Sequence, residues 1–117
     1  MKRLLSTLCG LGYLLLLPTG GALHAQQYTW TTIAGQPGVS GSADGVGASA
    51  RFDTPVSVAV DRFGVLHVAD YNHIIRKLTP ARVVSTFVGL TNTAGTTDGI
   101  GPAARFNLPH SGAFDAV

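Results

Sequence analysis

One segment of the chain occurs twice. The residues GSADGVGASARFDTPVSVAVD that begin at Gly41 return as GTTDGIGPAARFNLPHSGAFD from Gly95, a spacing of 54 residues (95 − 41). Aligning residues 28–63 with 82–117 needs no gap and gives 13 identical positions out of 36, whereas chance gives about two or three at ordinary residue frequencies. The chain is therefore built from a repeated unit, which we place at residues 28–81 and 82–117.

A repeat of this length restricts the architecture. Fixed periods of roughly 20 to 50 residues are typical of solenoids, propellers and arrays, in which one supersecondary unit cannot bury its apolar face without neighbours. The second copy reaches only Val117, which aligns with Phe63 of the first. The pattern thus predicts that residues 26–117 are an incomplete repeat domain.

The first 25 residues have the features of a secretory signal peptide. Lys2 and Arg3 give a positive start, an apolar run covers residues 4–17, and small residues precede Gln26. This pattern predicts cleavage after Ala25 and export to a secreted or periplasmic location. The alternative is an uncleaved membrane anchor, but a run of 14 residues (4 to 17) is shorter than the roughly 20 that span a bilayer.

Removal of this leader changes the charge balance. The whole chain has 8 basic and 6 acidic residues, and without Lys2 and Arg3 the remainder has 6 of each. Such a balance gives no indication of binding to nucleic acid or to an anionic membrane. The single cysteine, Cys9, lies in the leader, so the mature protein has to fold without disulfides.

The first unit reads as consecutive β-strands. Apolar and β-branched residues alternate or cluster at 56–60, 65–69, 73–78 and 83–88, and polar turns such as residues 61–64 separate them. By the repeat alignment, residues 28–33 are predicted to be a further outermost strand. The long loops before residues 56 and 110 are expected to contain one helical turn each, at 48–52 and 103–106, with Phe52 buried against the hairpin that follows.

The segment DRFGVLHVADYNHIIRKL, residues 61–78, resembles an NHL repeat, named after an Asn-His-Leu triplet. Asn72, His73 and Ile74 occupy that place, with isoleucine as a departure. The resemblance covers most of the mature chain and implies four-stranded blades around a central channel. It implies an all-β fragment of an NHL-type β-propeller with one complete four-stranded blade plus flanking strands, in which residues 28–33 are the outermost strand of the last blade and residues 109–114 open the next blade.

Two segments match the GxGxxA pattern of dinucleotide-binding loops: Gly45, Gly47 and Ala50, and Gly99, Gly101 and Ala104. No apolar strand precedes them and no long helix follows, so we predict turn glycines rather than a cofactor site, and no cofactor is expected. One carboxylate per loop is too few for calcium, so Asp44 is expected to cap its turn. Arg51 and Arg105 recur with the unit and are expected to bind loop carbonyls or an acidic partner.

The histidines give one candidate site residue. His67 and His73 are interpreted as structural, because one lies in a strand and the other belongs to the repeat. His110 replaces Val56 of the first unit and is predicted to start an innermost strand, where it is a possible ligand contact at the channel mouth. One histidine does not make a metal site, and no catalytic residue is assigned.

The sequence leaves three functions open. The first is a binding scaffold for a protein or carbohydrate at the blade-end loops, which rests on fold analogy. The second is part of a channel-centred propeller enzyme, a metal-dependent lactonase or lyase with most of its site in other blades. The third is a purely structural repeat. In each case residues 26–117 alone are expected to self-associate, because strands at both ends lack partners.

Overall fold

The computed structural model describes residues 25–115, so the predicted signal peptide lies outside the described residues apart from Ala25. The chain divides into two compact units, Met1–Trp30 and Thr31–Val117. In the described part of the first, residues 25–30, no helix or strand forms, and the Tyr28 hydroxyl donates a hydrogen bond to Gln26 Oε1 (3.0 Å). Within residues 25–115, none of the helices is long and apolar enough to span a membrane.

The second unit is all-β. Its strands form one antiparallel five-stranded sheet in the order β1-β5-β4-β3-β2. The strands are β1 (Gly45–Val46), β2 (Pro55–Val60), β3 (Leu66–Asp70), β4 (Ile74–Leu78) and β5 (Val83–Gly89). The four strands predicted from alternation in residues 56–88 are therefore confirmed, with boundaries that differ by one residue.

Local turn chemistry fixes the first hairpin. Asp61 Oδ1 accepts hydrogen bonds from the backbone N–H groups of Phe63 (2.9 Å) and Val65 (3.0 Å). The Gly64 N–H donates to the Asp61 carbonyl, at a φ of 76° for Gly64, a conformation that glycine adopts without steric cost. This turn sets the register that pairs Val60 with Leu66 and continues along β2 and β3.

Side chains on one face of the sheet form the core. In β4 every second residue is buried, and Leu78 pairs with Leu66 on one side and Val84 on the other. The loop before β2 covers this face, because Ala50 packs between Leu78 and Val84. The opposite face of β3 carries His67 and Ala69, which are also buried.

The loop before β2 contains a short helical turn, as expected. Gly47–Ser49 forms a 3₁₀ turn, and Gly101–Ala103 forms the equivalent turn one repeat later. Both turns begin one to two residues before the predicted segments 48–52 and 103–106. Phe52 is half-buried and packs, with Ala34 and Leu66, against the core. The prediction was that Phe52 is buried against the hairpin, so its side chain is less buried than expected.

Two expected flanking strands are absent from residues 25–115. Residues 28–33 and 109–114 have no strand assignment. A β-strand needs a hydrogen-bonding neighbour, and the outer edge of β5 is instead paired with β1, where Val46 lies opposite Val83. The flanking strand of this sheet therefore comes from the loop, and residues 28–33, predicted as the outermost strand of another blade, have no strand partner within residues 25–115.

We expect Phe52→Ala to lower the free energy of unfolding by about 2 kcal/mol. A fully buried phenylalanine typically contributes about 3 to 5 kcal/mol, and Phe52 is half-buried against the core. The matched control is Phe63→Ala, because the Phe63 side chain is 71% exposed. Urea unfolding followed by circular dichroism measures both variants, and equal midpoints for the two would contradict the placement of Phe52.

Candidate functional site

A fully buried charged residue lies in β4. Arg76 is fully buried, and its Nη1 donates a hydrogen bond to the Arg51 carbonyl oxygen (2.8 Å). Its Nη2 donates to the Ala43 carbonyl oxygen (3.1 Å) and forms an ion pair with Asp44 Oδ1 (2.8 Å). Because burial of a cation is costly unless the charge is paired and hydrogen-bonded, these three acceptors fasten the loop of residues 41–53 to the sheet. The Nε of Arg76 is buried without a hydrogen-bond partner.

Asp44 links this loop to β5 as well. Its Oδ1 accepts the Thr86 N–H (3.1 Å) in addition to the guanidinium of Arg76. The expectation that Asp44 caps its own turn was wrong, because its carboxylate bonds to strands 32 and 42 residues away in the chain. The Phe52 ring adds to the same cluster, since its centroid lies 5.5 Å from the guanidinium carbon of Arg76.

Asp70 makes a second attachment at the end of β3. Its carboxylate is buried and accepts the Asp53 N–H with both oxygens (2.9 and 3.1 Å). Burial raises the pKa of the Asp70 carboxyl above its ordinary value, although the Asp53 N–H and the charge of Arg76 act in the opposite direction. Arg76 therefore holds the loop at Ala43, Asp44 and Arg51. Asp70 holds it at Asp53, close to the start of β2.

The backbone of this loop is repeated 54 residues later. Residues with φ in the left-handed region occur at equivalent positions in both copies. The pairs are Gly35 and Gly89 (89° and 99°), Gly38 and Asn92 (75° and 58°), Gly47 and Gly101 (54° and 55°), and Thr54 and Leu108 (57° and 51°). One glycine of each GxGxxA pattern, Gly47 in the first copy and Gly101 in the second, thus occupies a turn position, as predicted. Within residues 25–115, no nucleotide-binding helix follows either pattern.

The repeated arginines bind loop carbonyls, which confirms the prediction for both. Arg51 Nη1 donates to the carbonyl oxygens of Ala48 and Ala50. Arg105 Nη1 donates to those of Pro102 and Ala104, which are the equivalent residues. Each arginine therefore closes its own 3₁₀ turn and keeps the main chain of the loop in one shape.

Five residues lie at one edge of the sheet, near the start of β2 and the turn between β3 and β4. We call this surface the turn edge, and it comprises Thr54, Tyr71, His73, Leu108 and His110. The Tyr71 N–H donates to the Asp53 carbonyl oxygen (3.2 Å), and the Leu108 N–H donates to His73 Nδ1 (3.1 Å). His73 thus ties the second loop to the turn, in accord with a structural role.

His110 lies on the turn edge but not in a strand. Its imidazole is exposed and lies 6.3 Å from the Tyr71 ring, centroid to centroid, in an edge-on arrangement. Among residues 25–115, no three side chains of the His, Cys, Asp or Glu types come close enough to hold a metal ion. The arrangement presents one tyrosine and one histidine to a ligand, with a hydroxyl and a ring nitrogen as hydrogen-bonding groups.

A cleft of about 400 Å³ borders the turn edge at Pro55. We call it the loop cleft. Its lining comes from residues 34–40 together with Thr32, Phe52 and Pro55, and it contains no charged side chain. The volume lies in the range of small-molecule sites, about 300 to 1,000 Å³. Apolar walls from Phe52 and Pro55 and polar groups on Thr32 and Ser40 suit a small neutral ligand.

The other face of the sheet holds an aromatic cluster around His67, in which Phe87 and Phe114 stay 49% and 45% exposed. The buried His67 ring contacts Phe87 (4.8 Å between centroids) and Phe114 (4.4 Å). Its Nε2 lies 3.5 Å from Asp61 Oδ2. Partial burial of Asp61 raises the pKa of its carboxyl, but the N–H groups of Val65 and Phe63 outweigh this and leave the pKa below its ordinary value. These contacts give His67 the structural role predicted for it.

The sequence did not indicate the loop cleft or the role of Arg76. The cleft depends on the path of the main chain at residues 34–40 and on Phe52 from a later part of the loop. In the sequence, Arg76 stands out only as one residue of the NHL-like segment 61–78. One signal was available, because Arg76 stands between Ile74 and Leu78 in a strand whose alternate residues are buried.

Comparisons with known proteins place this fold among bacterial β-proteins. No protein-family model matches the chain, and no curated protein matches it. A structural genomics protein of unknown function from Bacteroides thetaiotaomicron is similar over 71% of this chain and 22% of its own, with 29% identity and a TM-score of 0.67. An auxiliary nutrient binding protein from the same organism is similar over 72% of this chain and 23% of its own, with 32% identity and a TM-score of 0.64.

The chain therefore spans less than a quarter of the length of these two proteins. The similarity supports a β-rich unit of a kind that occurs in larger proteins. It does not identify the NHL-repeat family, so that assignment stays a prediction.

The two shifted aspartates give opposite dependences of stability on pH. For Asp70, whose pKa is raised in the folded state, stability relative to Asp70→Asn rises as the pH falls through the folded pKa toward the unfolded value of 3.8. For Asp61, whose pKa is lowered, the stability gained over Asp61→Asn is complete above 3.8. It is lost as the pH falls through the folded pKa.

Urea midpoints of the wild type and both variants between pH 7 and pH 2.5 measure this difference. We expect the wild-type advantage over Asp70→Asn to increase on acidification, and the advantage over Asp61→Asn to decrease. The same slope for both variants would show that one of the two carboxylates is not in the environment described.

Proposed function

We propose that the chain forms one unit and the beginning of the next in an exported NHL-type β-propeller, and that the propeller binds a small neutral ligand of the carbohydrate class. The observation that carries the proposal is the loop cleft, a concave surface of about 400 Å³ without charged side chains. The turn edge with Tyr71 and His110 is a separate surface, because none of its residues lines the cleft. Both surfaces belong to the blade-end loops.

The propeller part of the proposal is supported by the sheet. Strands β2 to β5 pair consecutively and antiparallel, which is the arrangement of a propeller blade. Apolar side chains remain uncovered, for example Val58 and Val60, which are 59% and 57% exposed. In a ring of blades, neighbouring units cover such faces. The resemblance of residues 61–78 to an NHL repeat agrees with this arrangement.

The binding part is supported by the comparison and by the chemistry of the cleft. One similar structure is named an auxiliary nutrient binding protein. Sugars are bound through hydrogen bonds to hydroxyls and through contacts with apolar or aromatic surfaces, and the cleft offers both kinds of group on Ser40, Gln36 and Phe52. A neutral ligand is favoured over an anion because no cationic side chain lines the cleft.

Export is the remaining part of the proposal. The leader of residues 1–25 carries the prediction, and a mature protein beginning at Gln26 would meet extracytoplasmic nutrients directly. The lactonase or lyase alternative places most of its metal ligands in other blades, whereas the carbohydrate proposal rests on the loop cleft of this chain, whose lining does not include His110. A protein partner for the same surface is an outcome of the test below.

Isothermal titration of the mature protein with a panel of neutral mono- and oligosaccharides tests the proposal. We expect at least one sugar to bind and Val39→Trp to weaken it by about tenfold or more, about 1.4 kcal/mol, because Val39 lines the loop cleft. Val46→Trp is the matched control, since Val46 is an exposed valine of the same loop outside the cleft.

Failure of every sugar to bind would contradict the ligand class. Equal weakening by Val39→Trp and Val46→Trp would contradict the location of the site. Binding of a protein ligand that Val39→Trp abolishes would keep the site and replace the sugar.

A further inference from the structure

The second loop reproduces the acceptor groups that hold Arg76 in the first. In the first loop the Arg51 N–H donates to the Ala43 carbonyl oxygen (3.0 Å), and in the second the Arg105 N–H donates to the Thr97 carbonyl oxygen (2.9 Å). The Gly41 N–H bonds to the Phe52 carbonyl as the Gly95 N–H bonds to that of Phe106 (3.1 and 3.0 Å). The two main chains therefore present their carbonyl groups alike.

The remaining members of the first cluster also have counterparts. Asp98 is equivalent to Asp44, and Phe106 to Phe52. Phe106 is half-buried and close to the main chain of β5, since a Cβ on Gly89 would lie 3.2 Å from its ring. Asn107 replaces Asp53, but the group used at this position is the backbone N–H, which asparagine also has.

Within residues 25–115 the second set of groups has no protein partner, and Asp98 and Asn107 are exposed. There, Asp98 makes no hydrogen bond or ion pair, and the Asn107 N–H has no acceptor. In the first loop the corresponding groups are filled by two side chains of the β3–β4 hairpin, Asp70 and Arg76, which are six residues apart (76 − 70). The second loop thus has the same acceptors and donor without the hairpin.

We propose that residues 95–107 form a receptor for the β3–β4 hairpin of a further copy of this repeat in the same polypeptide. The arginine of that hairpin donates to the carbonyl oxygens of Thr97 and Arg105 and pairs with Asp98. Its aspartate accepts the Asn107 N–H, and its guanidinium lies beside the Phe106 ring. This interaction fastens the second loop to a sheet as Arg76 fastens the first, and it does not depend on what the loop cleft binds.

The chemistry of the receptor selects this partner. A free cation satisfies Asp98 but not the Asn107 N–H, which needs a hydrogen-bond acceptor; for the equivalent Asp53 N–H the acceptor is the carboxylate of Asp70. An Asp-x₅-Arg hairpin supplies both charges at once, and its planar guanidinium fits two carbonyls and a carboxylate. The first loop shows the same set of groups filled by such a hairpin at contacts of 2.8 to 3.1 Å.

The test compares the mature protein with a version extended after Val117 by a copy of its residues 64–117. Because Val117 aligns with Phe63, this extension continues the repeat in register and supplies a second Asp70 and Arg76. Amide hydrogen exchange is measured at Asn107, with the Asp53 N–H as the internal reference for an occupied loop. We expect exchange at Asn107 to slow by about tenfold or more in the extended chain and to stay fast in the original chain.

Charge removal gives a second readout. In the extended chain we expect Asp98→Asn to lower the urea midpoint about as much as Asp44→Asn, and this effect to vanish when the copied arginine is changed to methionine, as a coupled pair requires. In the original chain only Asp44→Asn is expected to lower the midpoint. If a variant does not fold, Asn107 exchange in the unmutated extended chain still tests the proposal.

Equal exchange of Asn107 in both chains would overturn the proposal, and so would additive effects of Asp98→Asn and the copied-arginine variant. Concentration-dependent protection of Asn107 in the original chain would show that the hairpin comes from a second molecule. That result would overturn the assignment to the same polypeptide.

Discussion

The buried guanidinium of Arg76 is the interaction on which the described structure depends. It lies in the centre of the sheet and is held by two carbonyl oxygens and one carboxylate of a loop that precedes it by more than 20 residues. Removing one partner of a buried charge typically costs about 3 to 5 kcal/mol, because the remaining charge stays desolvated. The loop is therefore part of the folded unit and does not behave as a free connection.

The fastened loop creates the surfaces to which function is assigned. The Arg76 bonds and the attachment of Asp53 to Asp70 fix the chain that enters β2 at Pro55. Phe52, which lies beside the guanidinium, and Pro55 both line the loop cleft. The same bonds that stabilise the blade thus shape the cleft and position the turn edge with Tyr71 and His110.

The strands were predictable from the sequence, and the fastening of the loop was not. Alternation within 56–60 and the Asp61–Gly64 turn are local, so they determine β2 and β3 without reference to the rest of the chain. Arg76, in contrast, is bound to the backbone carbonyls of Ala43 and Arg51. Because every residue has a backbone carbonyl, such a contact cannot be recognised from the residue types. The pairing of β5 with Gly45 and Val46 of a glycine-rich loop was missed for a related reason, because a two-residue strand in such a loop has no alternation of residue types.

Amide hydrogen exchange in an Arg76→Met variant tests the central role of this guanidinium most directly. The informative amides are those of Gly41 and Arg51, which are hydrogen-bonded within the loop, and the reference amides are those of β3 and β4. The account predicts that the loop amides lose most of their protection while the β3–β4 hairpin keeps its own, since methionine fills the volume without bonding to the loop. Unchanged protection at Gly41 and Arg51 would show that the loop is held by other contacts and would contradict the account.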